Sequence, residues 1–156
     1  MSEVLQLAQK LDSEGARLSD FFASLSEQQW KTEVYTEGTV WTIRNILAHL
    51  VTAERSFITL FSAIRDGGAG VSEDFSIDRY NARQQEKTRE LAPQDLLARY
   101  RETRAEMIRF VSALQDADLE KMGRHPYLQQ TTLREMIKMV YLHNQIHYRD
   151  LKKVLK

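Results

Sequence analysis

Two histidines near the end of the chain, His143 and His147, have the spacing of paired metal ligands on a helix. They lie in a segment of helical hydrophobic period, Leu133 to Leu155, and both fall on its apolar stripe, one turn apart. Side chains four residues apart on a helix are neighbours, with β-carbons about 6 Å apart, so two imidazoles can bind the same ion. This spacing alone is weak evidence, because a histidine on an apolar face is more often a core residue held by a hydrogen bond.

A third candidate ligand lies on a different predicted helix. His49 is on the apolar stripe of a segment that runs from Thr42, a good N-cap, to about Asp66, where Gly67-Gly68 ends it. Three neutral imidazoles would leave a divalent ion with its full charge and at least one open coordination position. The chain has no cysteine, so disulfides and thiolate ligands are excluded, and any metal must be held by His, Asp, Glu or water.

The elements that must position these histidines are four long amphipathic segments, which predict an all-α four-helix bundle. The other two segments span Ser2 to Leu25 and the stretch from Pro93 to Leu114. The connection between the second and third long helices, 67–92, is long enough to travel the length of the bundle, and 77–90 is predicted to form a short surface helix. Antiparallel packing of the second and fourth helices would place the three histidines at one depth. The whole chain, 1–156, is predicted to be a single domain.

Five other residues carry predictions of their own. Arg104 lies on the stripe of the third helix and is interpreted as a snorkelling side chain with a packed stem. Glu54 is predicted to point to another face and form a surface ion pair, whereas Asn45 could reach the rim of the site. His125 precedes a proline and is predicted to be a surface histidine. Gly15 is interpreted as a tolerated helical glycine, although it could instead leave room for a ligand or a close helix.

Composition narrows the class of protein. Hydrophobic residues make up 42% of the chain and charged residues 28%, and the net charge is zero with histidine neutral. No basic surface therefore indicates a nucleic-acid partner. There is no apolar run long enough to span a bilayer, and the polar N-terminus does not indicate a signal peptide. A bacterial-type cytoplasmic protein is expected.

Together these features resemble the DinB/YfiT-like proteins. The resemblance covers nearly the whole chain in order and is carried by Trp41 to Leu50, Asp78-Arg79-Tyr80-Asn81, His125-Pro126 with Thr132-Leu133, and His143-Asn144-Gln145-Ile146-His147. It implies an up-down-down-up four-helix bundle with a divalent metal, usually zinc or nickel, bound by three histidines, which match His49, His143 and His147. Characterised members use low-molecular-weight thiols, as bacillithiol S-transferases and mycothiol-dependent maleylpyruvate isomerases. Members are often dimers, so a homodimer is compatible with the resemblance.

Two functions remain open on these grounds. The first is a metal-dependent transferase that activates a small-molecule thiol for transfer to an electrophile, with no catalytic residue nominated beyond the metal site. The second is a non-catalytic binding protein of the stress response whose metal site holds a ligand without turnover. A metal-free bundle with satisfied core histidines is the least favoured, because three core-facing histidines at one depth need a common explanation. The expected partners are a thiol and an electrophile, with neither nucleic acid nor membrane.

Overall fold

The computed structural model describes residues 1–156 and contains five α-helices, two 3₁₀ turns and two short β-hairpins. The four long helices are α1 (Glu3–Ala23), α2 (Ile43–Arg65), α4 (Pro93–Ser112) and α5 (Leu133–Val154). A shorter helix, α3 (Ile77–Lys87), buries none of its residues. The four predicted long helices and the predicted surface helix are therefore confirmed. None of the helices is both long and apolar enough to cross a membrane.

The long helices begin where local chemistry favours it. Ser2, Thr42 and Thr132 each accept a hydrogen bond from the backbone N–H three residues later, which satisfies an otherwise unpaired donor of the first turn. Asn45 completes a capping box by accepting from the Thr42 N–H at 2.8 Å. Its amide nitrogen donates to Gln85 of α3 at 3.1 Å, so this side chain is committed to the helix start and to α3 rather than to the three histidines.

Side-chain hydrogen bonds within or at the ends of the helices give the direction of each one. Where two bonds join the same two helices, the order of the bonded residues along each helix shows whether the helices are parallel. Residue numbers rise together along α1 and α5, and along α2 and α4, so each of these pairs is parallel. The order is opposite for α1 and α4, which are antiparallel. The bonded pairs are Glu3–Arg134 and Glu14–Gln145, Arg44–Leu91 and Arg55–Thr103, and Val4–Asp116 and Ser19–Arg101. The bundle therefore has the predicted up-down-down-up topology, and the long crossover from α2 to α4 carries α3.

Two antiparallel hairpins occupy stretches where the sequence has no clear period. The first pairs β1 (Glu33–Tyr35) with β2 (Trp41–Thr42), and the second pairs β3 (Met122–His125) with β4 (Gln129–Thr132). Strands of two to four residues are too short to show an alternating pattern, so the sequence does not predict them. Both matter for the site, because the second strand of each hairpin ends at the N-cap residue of a histidine-bearing helix.

A polar layer crosses the bundle between two buried apolar clusters, one nearer the start of α1 and one nearer its end. Arg104 donates to both carboxylate oxygens of Glu54 at 2.8 Å and to the Asn144 side-chain oxygen at 2.7 Å. The predictions of a snorkelling Arg104 and a surface Glu54 are wrong: their side chains are only 4% and 3% exposed. Each charge is buried because the other compensates it, a pairing between two helices that periodicity does not reveal.

Gly15 of α1 lies directly against this layer. A β-carbon at Gly15 would be 2.7 Å from Nη1 and 2.8 Å from Cγ of Arg104. The guanidinium is also held from α1, since its Nη1 donates to the Leu11 carbonyl at 2.8 Å. The favoured interpretation of a merely tolerated glycine is therefore wrong, and the alternative of a close approach by another helix is confirmed.

Candidate metal centre

The three candidate histidines meet at the level of the polar layer. The Nε2 atom of His143 is 3.1 Å from Nε2 of His49 and 3.0 Å from Nε2 of His147. The nitrogens that could ligate an ion all lie within 4.8 Å of one another. Antiparallel packing of α2 and α5 thus brings together residues that are 94 positions apart in the chain. His49 is buried, and the two histidines of α5 are partly buried.

The donor set fits a divalent ion. Two nitrogen lone pairs cannot face each other at these distances unless a proton or a cation lies between them. A single proton on Nε2 of His143 can bridge well to one neighbour, but not to both. An ion with nitrogen ligands at about 2.1 Å in tetrahedral geometry would hold them about 3.4 Å apart. The observed separations of 3.0 and 3.1 Å are close to that value, so small side-chain movements would accommodate the ion.

Burial favours the neutral form of each imidazole, which is the form that ligates metals. Removal from water lowers the pKa of His49 to about 3, that of His143 to about 2 and that of His147 to about 4. Repulsion from a neighbouring protonated histidine lowers the pKa values of His49 and His143 further. A cluster of this kind therefore resists protonation near neutral pH and keeps its lone pairs available.

A tyrosine from the first hairpin contacts one of these histidines. The Tyr35 hydroxyl lies 2.9 Å from Nδ1 of His147 and donates to a carboxylate oxygen of Asp150 at 2.6 Å. The sequence pattern does not predict Tyr35, because its strand has no readable period. The sequence does carry a signal for Asp150. It lies three residues after His147 on a predicted helix, and side chains three residues apart on a helix are neighbours.

Two cavities flank the histidines. A polar cavity of about 770 Å³ is lined by the first hairpin's loop, the start of α2 and α3, including Trp41 and Asn81. The Trp41 ring packs against His49, with ring centroids 5.1 Å apart. A second, more apolar cavity of about 30 Å³ is lined by His49, Asn81 and Tyr127. Asn81 lines both cavities and Trp41 contacts His49, so a roomy polar space lies beside the three histidines.

His125 is buried but does not join the cluster. Its Nδ1 accepts hydrogen bonds from the backbone N–H groups of Tyr127 and Leu128 at 3.0 and 3.1 Å, and its ring stacks on Phe57. Its Nε2 is buried without a hydrogen-bond partner. The prediction of a surface histidine is wrong, because the second hairpin turns this side chain into the core, where it holds the turn together.

Comparisons with known proteins relate the chain to a family and to solved structures. The family model of the DinB superfamily matches residues 10–151. YfiT from Bacillus subtilis, described as a probable metal-dependent hydrolase with an unusual four-helix bundle topology, aligns with a TM-score of 0.79 at 18% identity, covering 99% of this chain and 87% of that one. No curated protein sequence matches the chain.

Two further structures are similar at lower identity. The colibactin self-resistance protein ClbS, solved in complex with double-stranded DNA, aligns with a TM-score of 0.78 at 16% identity, covering 100% of this chain and 97% of that one. A variant of the mycothiol-dependent maleylpyruvate isomerase aligns with a TM-score of 0.78 at 12% identity, covering 96% of this chain and 61% of the isomerase. At these identities the likeness shows the shared fold.

Proposed function

We propose that this chain, which belongs to the DinB superfamily, binds a divalent metal ion through His49, His143 and His147 and activates a small-molecule thiol for transfer to an electrophile. The observation that carries the proposal is the convergence of three neutral Nε2 atoms from two helices, 3.0 and 3.1 Å apart. Imidazole nitrogens suit zinc and nickel, which are the metals we expect. The description of YfiT as a probable metal-dependent hydrolase supports a metal at this fold's histidines.

The arrangement of ligands suits thiol chemistry. When bound, an ion with three neutral ligands would lower the pKa of a coordinated thiol from about 8.5 into the neutral range and hold the resulting thiolate. The thiol's proton would leave to solvent, and the thiolate sulfur would attack the electrophilic carbon. The bond from that carbon to its leaving group breaks, and the leaving group (chloride in the case of monochlorobimane) departs to solvent with the electron pair, so the reaction requires no protein base. The chain itself has no cysteine to compete for the open position.

The larger cavity next to the site suits a hydrophilic reactant. The polar cavity of about 770 Å³ is lined by polar side chains such as Thr39 and Asn81, which can bond a hydrophilic thiol. The apolar space beside His49, bounded by aromatic rings such as Phe57 and Tyr80, is only about 30 Å³ and has room for about one water molecule. The dependence of one structural neighbour on mycothiol supports a thiol as the first reactant. With no net charge on the chain, we do not extend the DNA binding of ClbS to it.

Cobalt substitution tests the proposal directly. Addition of bacillithiol, mycothiol or glutathione to the cobalt-loaded protein should produce a sulfur-to-cobalt charge-transfer band at a pH below the pKa of the free thiol. The same thiol should then be alkylated faster by monochlorobimane in the presence of the zinc- or nickel-loaded protein. His147→Ala should abolish both effects, whereas Tyr148→Phe, a change at the next residue that removes no hydrogen bond, should preserve them.

Two other outcomes would change the proposal. If no thiol perturbs the cobalt spectrum, the transferase is rejected in favour of a non-catalytic metal- or ligand-binding protein. If a thiol binds but none of a panel of electrophiles reacts faster, the site recognises thiols without turnover.

A further inference from the structure

We propose that Tyr35, held by Asp150, is a positioning residue that fixes His147 in the tautomer with its proton on Nδ1, so that the Nε2 lone pair faces the metal centre. This inference rests on the proposed function for its consequence, which is tighter metal binding. It concerns two residues outside the set of three histidines, one of them on a different element of the fold.

The direction of the two hydrogen bonds follows from what each group can do. The Tyr35 hydroxyl oxygen is 2.6 Å from Oδ2 of Asp150 and 2.9 Å from Nδ1 of His147. An aspartate carboxyl is ionised near neutral pH, and an ionised carboxylate can only accept. The single hydroxyl proton therefore goes to Asp150. The oxygen is left with lone pairs for His147, whose Nδ1 must then donate.

The Tyr35 hydroxyl lies beside Nδ1 of His147 and away from the other ring nitrogen. A tyrosine hydroxyl is protonated near neutral pH, so it has one proton to donate. The tyrosine ring meets the His147 ring edge-on, with centroids 5.9 Å apart, which holds the hydroxyl beside Nδ1 rather than Nε2. The opposite nitrogen, Nε2, lies 3.0 Å from Nε2 of His143, at the centre of the cluster.

The first hairpin thereby orients two of the three candidate ligands. In β1 and β2, Tyr35 pairs with Trp41, and the Trp41 ring packs against His49. Tyr35 acts by a hydrogen bond and Trp41 by packing. Partners that orient a metal-bound histidine typically change metal affinity 10- to 100-fold when they are removed. Loss of the Tyr35 hydroxyl should therefore weaken metal binding by this factor without loss of the fold.

Nuclear magnetic resonance of the metal-free protein reads the tautomer directly. Long-range proton–nitrogen correlations of ¹⁵N-labelled protein at neutral pH should show a protonated Nδ1 and an unprotonated Nε2 for His147. Tyr35→Phe should convert His147 to a mixture of tautomers. Asp150→Ala should do so too, because the freed hydroxyl can then donate to Nδ1. A wild-type His147 that carries its proton on Nε2, or a tautomer unchanged in both variants, would overturn the inference.

Zinc affinity, measured by competition with a chromophoric chelator, tests the consequence. The dissociation constant should rise about 10- to 100-fold for Tyr35→Phe and stay within about twofold for Tyr148→Phe, a matched tyrosine on α5. Circular dichroism and melting temperature should confirm that both variants are folded. An unchanged affinity in folded Tyr35→Phe would refute the positioning role. Failure of the wild type to bind zinc or nickel would refute the proposed function instead, and the tautomer of the metal-free protein distinguishes the two failures.

Discussion

Arg104 and Glu54 form a buried two-bond ion pair, with each nitrogen–oxygen distance 2.8 Å, between two helices in the middle of the core. Arg104 also donates to Asn144, the residue after His143, so the ion pair connects the two helices that carry the histidines. Glu54→Gln would leave the guanidinium buried without a countercharge and should lower the free energy of unfolding by about 3–5 kcal/mol. Urea denaturation of the metal-free protein measures this change.

An exposed carboxylate provides the control for that prediction. Glu135 is half exposed and lies 3.7 Å from Lys138, so Glu135→Gln should change stability by less than about 1 kcal/mol. Equal losses of unfolding free energy in the two variants would show that the buried ion pair contributes no more to stability than an exposed one.

Gly15→Ala should destabilise the bundle, although alanine is the better helix former by about 1 kcal/mol. The new methyl group would lie 2.8 Å from Cγ of Arg104, whose guanidinium is fixed by its bonds to Glu54 and Leu11 and cannot easily move away. Overpacking of this kind costs about 1–3 kcal/mol. Ser13→Ala, at an exposed position of the same helix, should have little effect or be slightly stabilising. A more stable Gly15→Ala protein would contradict the close packing at this site.

The amount of bound metal should depend on the three clustered histidines and not on the total number of histidines in the chain. Protein purified without a nickel column and reloaded with zinc should hold about one ion per chain, and His143→Ala should lose most of it, because two ligands bind far more weakly than three. His125→Asn is the matched control, since it keeps an acceptor for the turn and removes a histidine outside the cluster. Mass spectrometry of the bound metal after dialysis measures the occupancy. Equal occupancy in the two variants would contradict the assignment.

Removal of the metal should leave the bundle folded. The apolar clusters on both sides of the polar layer do not depend on the histidines, unlike the core of a zinc finger. Addition of a chelator should therefore lower the melting temperature but preserve the helical circular dichroism. The free-energy difference should be about 2.7 kcal/mol when free metal is at 100 times its dissociation constant. Loss of helicity on chelation would indicate a structural metal and count against catalysis.

Acid should destabilise the metal-free protein before its carboxylates titrate. Burial lowers the pKa of His125 from 6.5 to about 4, and the three clustered histidines shift in the same direction. Below pH 6.5 the unfolded chain therefore binds more protons than the folded one, so stability falls as the pH falls. Each histidine contributes up to about 1.4 kcal/mol per pH unit between 6.5 and its folded pKa.

The free energy of unfolding at pH 7.5, 6 and 5 measures this dependence, and His125→Asn should reduce its slope by one histidine's share. A stability that does not change between pH 7.5 and 5 would show that these imidazoles are not held neutral.

The helices and the three-histidine cluster were predictable from the sequence because the signals for them are local. Helical period marks which side chains share a face, and capping residues such as Thr42 and Thr132 mark where a helix begins. Two histidines one turn apart and a third on another apolar face then need only antiparallel packing to meet. The resemblance to a known family supplied the topology, which the lengths of the connections had left open.

Other features depended on contacts between residues far apart in the chain. Tyr35 is 112 positions from His147 and comes from a strand too short to show a period, so nothing local connects the two. In the sequence, Arg104 and Glu54 each look like an ordinary charged residue on a helix. Each charge can be buried only because the other, on a different helix, compensates it, and the local sequence does not show that pairing. His125 likewise depended on a hairpin of short strands. Local periodicity determined which faces pack together, but only the packed structure decided which polar groups would compensate one another where water is excluded.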